Sequence, residues 1–101
     1  MKTILISGGN GKFSNALIKI NKKYLILAPN KKQMNILSQN SIANFISKQK
    51  VDYFIHAAAF TTPMARHKTE LEKSISTNII GSANVALSCL KKKIKLIYIS
   101  T

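Results

Sequence analysis

The residues best suited to chemistry lie near the N-terminus, in the segment from Ser7 to Ser14, which reads SGGNGKFS. The apolar run Thr3–Ser7 leads into it, and a helical pattern of apolar residues follows it. A glycine turn placed between a strand and a helix brings free backbone N–H groups and the positive end of the helix dipole to one point. Gly8 permits the tight turn and Gly11 permits close approach of a phosphate. We therefore predict a site for the pyrophosphate of a dinucleotide rather than a turn without a ligand.

The segment after the second apolar run bears on which dinucleotide binds. A site for NAD usually has an acidic residue there, which holds the 2′-hydroxyl of the ribose. The segment Ala28-Pro29-Asn30-Lys31-Lys32 has no acid and offers two lysines that can meet a 2′-phosphate. We predict NADP or NAD as the cofactor, with NADP preferred.

Four strand-like runs position these residues: 3–7, 24–27, 51–59 and 94–99. The first three are almost continuously apolar, which is typical of parallel strands covered on both faces. Helical periodicity fills the intervals between the runs. The pattern predicts an α/β protein, a partial Rossmann fold of order β-α-β-α-β-α-β, with a parallel sheet in the strand order 3-2-1-4.

The second and third helices have recognisable ends. Ser38 or Asn40 is suited to cap a short helix around residues 42–46. Thr69 to Glu72 form a capping box that opens the third helix, and Lys91 to Lys93 close it. Apolar residues at helical spacing predict its buried face: Leu71, Ile75, Ile79, Ala83, Ala86 and Leu90. We interpret Cys89 as a small buried hydrophobe, and His56 as a packing residue for which no nearby residue suggests a partner.

Length and charge limit the functions that remain. The chain has 101 residues, enough for one small domain, and 16 basic against 3 acidic residues give a net charge of +13. Nucleic acid is a less favoured partner, because Lys, Ile and Asn all come from AT-rich codons and most of the cations fall at helix ends or strand starts. One cysteine excludes an internal disulfide and a cysteine-based zinc site, and we predict no metal site. No apolar run is long enough to span a membrane and the N-terminus does not resemble a signal peptide, so we predict a cytoplasmic protein without membrane partners.

Three further segments, together with the glycine turn, form a set of motifs in a fixed order along the chain: 51–59 (VDYFIHAAA), 78–84 (NIIGSAN) and 97–101 (IYIST). Together, in this order, they resemble the extended short-chain dehydrogenases/reductases, in particular the branch of nucleotide-sugar enzymes similar to dTDP-4-dehydrorhamnose reductase. Ser14 stands where the family has a third glycine. The resemblance implies that residues 1–101 are the N-terminal part of an NAD(P)-binding Rossmann domain, with the substrate domain absent.

The resemblance also implies roles for individual residues. Asn35 lies where the family tends to carry an aspartate near the adenine, and the strand end 57–59 would run under the cofactor. Thr101 aligns with the catalytic Ser or Thr that hydrogen-bonds the reacting carbonyl. The Tyr and Lys of the family's YxxxK motif do not occur in these residues. The predicted cofactor-binding residues are Gly8, Asn10, Gly11, Lys12, Phe13, Lys31, Asn35, Ala57, Ala58 and Ala59.

Three functions stay open at this point. The chain is the dinucleotide-binding part of a nucleotide-sugar reductase or epimerase, truncated before YxxxK; or it is a freestanding, non-catalytic NAD(P)-binding module; or, least favoured, it is a basic nucleic-acid-binding protein. Besides the dinucleotide, the expected partners are a missing C-terminal half or a second copy that pairs along the edge strand 94–99.

Overall fold

The computed structural model describes residues 1–7, 12–57, 72–73 and 77–99. The strands are β1 (Thr3–Ser7), β2 (Leu25–Leu27), β3 (Tyr53–His56) and β4 (Lys95–Tyr98). The helices are α1 (Lys12–Ile20), α2 (Gln39–Ser47) and α3 (Ser82–Lys92), and a π-helical turn, Thr77–Gly81, leads directly into α3. None of the described helices combines the length and the apolar character needed to cross a bilayer.

The four strands form one parallel sheet in the order β2-β1-β3-β4. The α/β class and the parallel sheet are thus confirmed, whereas the predicted order 3-2-1-4 differs from the one observed. The third strand lies beside the first, on the side away from β2, and pairs over Tyr53–His56. Of the predicted run 51–59, residues 51, 52 and 57 are not in the strand, and residues 58 and 59 lie outside the described residues.

Burial explains why β1, and not β2, occupies the interior of the sheet. Every residue of β1 is buried, whereas β2 has three residues that are exposed or half-buried and therefore suits an edge. The side chain of Asp52 adds a contact at the start of β3, where its Oδ2 accepts a hydrogen bond of 2.8 Å from the backbone N–H of Thr3. The chain consequently crosses over β1 between β2 and β3, and the direction of the strand connections reverses between β1 and β3.

Helices cover both faces of the sheet, which gives two apolar clusters. The larger cluster lies between the sheet and the pair α2–α3; it consists of Leu5, Met34, Ile36, Ile42, Ile46, Val51, Phe54, Val85, Cys89 and Ile94. The smaller one contains Ile4, Ile6 and Ile55, with Leu17 of α1 packed against it. Burial raises the pKa of the Cys89 thiol to about 11, so this side chain is neutral and packs as a small hydrophobe, as predicted.

The helix ends follow the sequence signals. Ser38 is the N-cap of α2, and its Oγ accepts a hydrogen bond of 3.2 Å from the N–H of Ser41. Lys91 and Lys92 lie in the last turn of α3, where positive charge meets the negative end of the helix dipole. Lys93 ends this helix in the left-handed conformation, with φ of 56°.

The predicted buried face of the third helix is wrong. Ile79 is 64% exposed and Leu90 is 76% exposed, while Val85, Ser88 and Cys89 are buried instead. The predicted residues Ala83 and Ala86 are exposed as well. The buried face of α3 is instead the one that approaches the segment after β2 closely. A Cβ on Gly81 would come within 2.6 Å of Cδ1 of Ile36, and Nδ2 of Asn84 donates a 2.9 Å hydrogen bond to the carbonyl of Ile36. Leu71 and Ile75 lie outside the described residues.

β4 forms the other edge of the sheet. It pairs with β3, and within the described part of the chain its far side has no strand beside it. Ile97 and Tyr98 are about half exposed on this strand. Pairing with a second copy along 94–99 stays a prediction.

Candidate functional site

The carboxyl ends of β1 and β3 lie side by side, and the connections that follow them run in opposite directions. In open parallel sheets, ligands bind in the crevice at such a reversal of strand order. β1 ends at Ser7 and β3 at His56, and the pairing register places these two residues opposite each other. The glycine segment 8–11 follows Ser7 directly in the sequence, and α1 begins at Lys12 with no acidic residue in its first turn. The candidate site is therefore this edge of the sheet.

A buried chain of hydrogen bonds joins three segments at this edge. Oγ of Ser7 lies 2.7 Å from Nδ1 of His56, and Nε2 of the same ring lies 3.1 Å from Oγ of Ser82 at the start of α3. The backbone N–H of Ala57 donates to Oγ of Ser7 over 3.2 Å. Ser7 and His56 are 1% and 2% exposed. Burial of polar groups at this depth is favourable only when they are hydrogen-bonded, and these groups are.

Both ring nitrogens of His56 have a serine hydroxyl as partner: Nδ1 has Ser7 and Nε2 has Ser82. A hydroxyl can donate or accept, so the two contacts satisfy a neutral imidazole in either tautomer. Burial lowers the pKa of His56 below its ordinary value, because the charged ring would lose its hydration, and this favours the same neutral form.

The ring of His56 also has an aromatic neighbour. The pairing register sets His56 beside Tyr98 of β4, and the two ring centroids are 5.5 Å apart. The carbonyl of His56 accepts a 3.1 Å hydrogen bond from the N–H of Ile99. The side chain is thus fixed from β1, from β4 and from α3.

The segment after β2 presents lysines at a tight turn. The backbone N–H of Asn30 donates to Oε1 of Gln33, and the N–H of Gln33 donates in return to Oδ1 of Asn30, at 2.8 and 2.9 Å. Lys31 and Lys32 lie between them and are exposed. A turn closed from both ends displays two positive charges to solvent, where they can meet a phosphate.

Asn35 lies just beyond this turn, between the buried side chains of Met34 and Ile36. Its N–H donates to Oγ of Ser41 over 2.8 Å, and its Oδ1 accepts from the N–H of Leu37 over 3.0 Å. An amide oxygen has two lone pairs, so one acceptor position is left for a ligand such as a base. The two apolar anchors hold this segment against α3.

Comparison with known proteins decides the family. All of residues 1–101 match the family described as the RmlD substrate binding domain. The chain belongs to this family. Its membership confirms the resemblance to the branch similar to dTDP-4-dehydrorhamnose reductase within the extended short-chain dehydrogenases/reductases.

Individual relatives agree with this assignment. The chain is 30% identical over 103 residues to the spore coat polysaccharide biosynthesis protein SpsK of Bacillus subtilis (strain 168), and this covers 100% of the chain and 36% of that protein. It is 25% identical over 104 residues to a dTDP-4-dehydrorhamnose reductase of Aggregatibacter actinomycetemcomitans, covering 100% and 35%. The crystal structure of dTDP-4-dehydrorhamnose reductase from Bacillus anthracis str. Ames in complex with NADP superimposes with a TM-score of 0.89 at 26% identity, covering 99% of this chain and 36% of that one. The chain thus spans about a third of the length of these relatives.

The structure places some of the predicted cofactor residues of this RmlD-family chain at the candidate site. Lys12 and Phe13 form the first turn of α1, and Ala57 follows His56 and bonds to Ser7. Lys31 and Asn35 follow β2, on the far side of β1 from His56. Six predicted residues lie outside the described residues: Gly8, Asn10, Gly11, Ala58, Ala59 and Thr101.

The sequence analysis missed the hydrogen-bond partners of His56. His56 is buried as predicted, but it has partners, Ser7 and Ser82, from positions 49 residues before it and 26 residues after it. A polar residue that ends an apolar strand, as Ser7 and His56 both do, is the signal that could have identified them. Within the described parts of the chain, no three His, Cys, Asp or Glu side chains gather as a metal site would require.

Proposed function

We propose that this RmlD-family chain is the NADP-binding part of a nucleotide-sugar oxidoreductase of the dTDP-4-dehydrorhamnose reductase type. The observation that carries the proposal is the position of the glycine segment 8–11, which connects β1 to the N-terminus of α1 beside the reversal of strand order. A relative of known structure with the same fold binds NADP, which supports a nicotinamide dinucleotide as the ligand. In this proposal residues 1–101 form the N-terminal part of the Rossmann domain.

The chemical step requires groups that these 101 residues do not include. Residues 1–101 contain no Tyr followed four positions later by Lys, so in the proposal they do not supply a general acid of the YxxxK type. In the proposal, Thr101 contributes the hydroxyl that bonds the reacting carbonyl. We accordingly expect the 101-residue chain alone to bind NADPH without consuming it when nucleotide sugars are added. NADPH consumption by the chain alone would contradict this division of roles.

A valine at the glycine turn tests the site of binding. Gly11→Val places a branched side chain where the pyrophosphate must approach the backbone, so we expect the affinity for NADPH to fall at least about tenfold. Ala16→Val is the matched control, because it adds a valine at an exposed position of α1, the helix that follows Gly11 in the sequence. Fluorescence titration of NADPH into the three proteins measures the effect. Equal affinities for wild type and Gly11→Val would refute the proposed site.

The lysine turn tests the choice of dinucleotide. We propose that Lys31 and Lys32 bind the 2′-phosphate, so their joint replacement by Ala should weaken NADPH binding by about five- to tenfold and leave NADH binding unchanged. Lys22→Ala/Lys23→Ala removes the same charge in front of β2, at the opposite edge of the sheet, and should leave both affinities unchanged. Tighter binding of NADH than of NADPH by the wild type would contradict the preference.

A further inference from the structure

His56 sits where three parts of the proposed cofactor edge meet. Ser7 immediately precedes the glycine turn, Ala57 begins the predicted strand end under the cofactor, and Ser82 opens α3. The hydrogen bonds of the single imidazole reach Ser7 and Ser82, and Ser7 in turn accepts from Ala57. One buried side chain therefore connects segments that are distant in sequence but adjacent at the site.

We propose that His56 is a positioning residue for the dinucleotide site: its two hydrogen bonds hold the ends of β1 and β3 and the start of α3 at fixed separations. The inference rests on the proposed function, because it assigns His56 a role in binding the same cofactor. His56 itself does not touch the dinucleotide in this proposal. It acts through Ser7, which anchors the first residue of the turn, and through Ala57, which starts the backbone predicted to lie under the cofactor.

The buried hydroxyl of Ser7 has few alternative hydrogen-bond partners to His56. Ser7 is 1% exposed, so its hydroxyl cannot exchange His56 for bulk water without moving β1 or β3. Loss of the imidazole leaves the hydroxyl of Ser7 without its side-chain partner, and the hydroxyl must then rotate or shift. Since Ser7 and Gly8 are adjacent, such a shift is transmitted to the turn that binds pyrophosphate. The π-helical turn that precedes Ser82 is a type of irregularity that recurs at functional sites, which fits a precise placement of this hydroxyl.

Variants at position 56 separate positioning from packing. His56→Phe keeps an aromatic ring beside Tyr98 and removes both hydrogen bonds, so we expect NADPH affinity to fall roughly tenfold. His56→Asn retains an amide near the place of Nδ1 that can donate to or accept from Ser7, so it should recover most of the affinity. A residue that merely fills space would give the opposite order, because Phe fills the site better than Asn.

A pair of serines on α3 supplies the matched control. Ser82→Ala removes the partner of Nε2 and should weaken NADPH binding about threefold. Ser88 lies six residues after Ser82 on the same helix, and its buried hydroxyl donates a 2.8 Å hydrogen bond to the carbonyl of Asn84. Ser88→Ala removes this hydroxyl and should leave the affinity for NADPH unchanged. Both variants are measured well below their melting temperatures, and circular dichroism verifies that they are folded. This pair keeps the inference testable if His56→Phe does not fold.

The outcomes distinguish the inference from the proposed function. Wild-type binding that is lost in Gly11→Val and weakened in His56→Phe and Ser82→Ala, with recovery in His56→Asn, supports both. If Gly11→Val abolishes binding while His56→Phe and Ser82→Ala bind like wild type, the role of His56 is overturned and the proposed function stands. Equal losses in Ser82→Ala and Ser88→Ala would also overturn it, since they would indicate a general effect of destabilising α3. Wild-type protein that does not bind NADPH refutes both.

Discussion

The carboxyl and amino edges of the sheet differ in how their polar side chains are buried and paired. At the carboxyl edge, the buried Ser7 and His56 are paired with each other, and His56 is also paired with the half-buried Ser82. At the amino edge, charged groups are numerous and exposed: Lys2, Lys22, Lys23, Lys48, Lys50, Lys91, Lys92, Lys93 and Lys95. Asp52 is the acidic side chain that faces them, and it bonds to the backbone of β1.

The difference shows that the amount of charge does not locate the candidate site in this chain. Exposed lysines keep their hydration, so each contributes little to stability, and most sit at helix ends or just before strands. Buried neutral groups have exchanged water for specific partners, so their geometry is fixed. The candidate site is therefore where polar groups are few, paired and adjacent to a reversal of strand order.

The largest contrast should appear when one group is removed from each edge. Ser7→Ala leaves the N–H of Ala57 and Nδ1 of His56 unpaired in the interior, so we expect a loss of about 2 kcal/mol in the free energy of unfolding. Lys48→Ala, at an exposed position of the amino edge, should change it by less than about 0.5 kcal/mol. Urea denaturation followed by circular dichroism measures both. Similar values for the two variants would remove the contrast between the edges.

Asp52 is the best-anchored charge of the amino edge and should give an intermediate effect. Asp52→Ala deletes the acceptor for the N–H of Thr3, which is 8% exposed, so we expect a loss of about 1 kcal/mol. Asp52→Asn keeps a carbonyl oxygen in the same place and should recover most of that loss. If Asn is as destabilising as Ala, the charge itself rather than the hydrogen bond is responsible.

A smaller change in the free energy of unfolding is expected when the pH is lowered and His56 becomes protonated. Burial lowers its pKa in the folded chain below 6.5, so the unfolded chain binds the proton more readily in the window just below that value. The free energy of unfolding should therefore fall as the pH drops from 6.5 to the lower pKa of the folded state, and level off beyond it. Tyr98 of β4 is the titratable side chain whose contact with the ring is described.

His56→Asn is the control for the acid effect, because it keeps a polar side chain that does not titrate there. Denaturation of both proteins over a series of pH values gives the comparison. A wild-type curve parallel to that of His56→Asn would contradict the assignment of this pH dependence to His56.

Much of the local structure could be predicted from the sequence. The strands, the cap at Ser38 and the basic end of α3 all follow from signals within a few residues of each other. The glycine segment likewise indicated where α1 begins. These features depend on contacts between neighbours in sequence, which composition and periodicity report directly.

The order of the strands could not be predicted in this way. The apolar runs of β1 and β3 fit an interior strand in either arrangement, and the pattern alone does not say on which side of β1 the third strand pairs. In the predicted order 3-2-1-4, β2 would separate β3 from β1 by two strand spacings, about 10 Å, and Ser7 could not reach His56. The error in strand order and the missing partners of His56 are therefore one error.

The prediction of the buried face of α3 was wrong for a different physical reason. Apolar periodicity favoured Ile79, Ala83, Ala86 and Leu90 as buried residues, but all four are exposed. The close approach of Gly81 and Asn84 to Ile36 instead buries the face of α3 that carries Val85, Ser88 and Cys89. Periodicity detects apolar size, not closeness of approach.

The most direct test of the central claim is a map of where the dinucleotide binds. Titration of NADPH into ¹⁵N-labelled protein, followed by amide chemical shifts, compares the two edges in one experiment. The account predicts that the largest shifts occur at the carboxyl edge, at Ser7, Lys12, Ala57 and Ser82, with Lys48 and Lys93 unchanged. Shifts concentrated on the lysines of the amino edge, with the carboxyl edge unaffected, would contradict it. They would show that NADPH binds only as an anion attracted by the net positive charge.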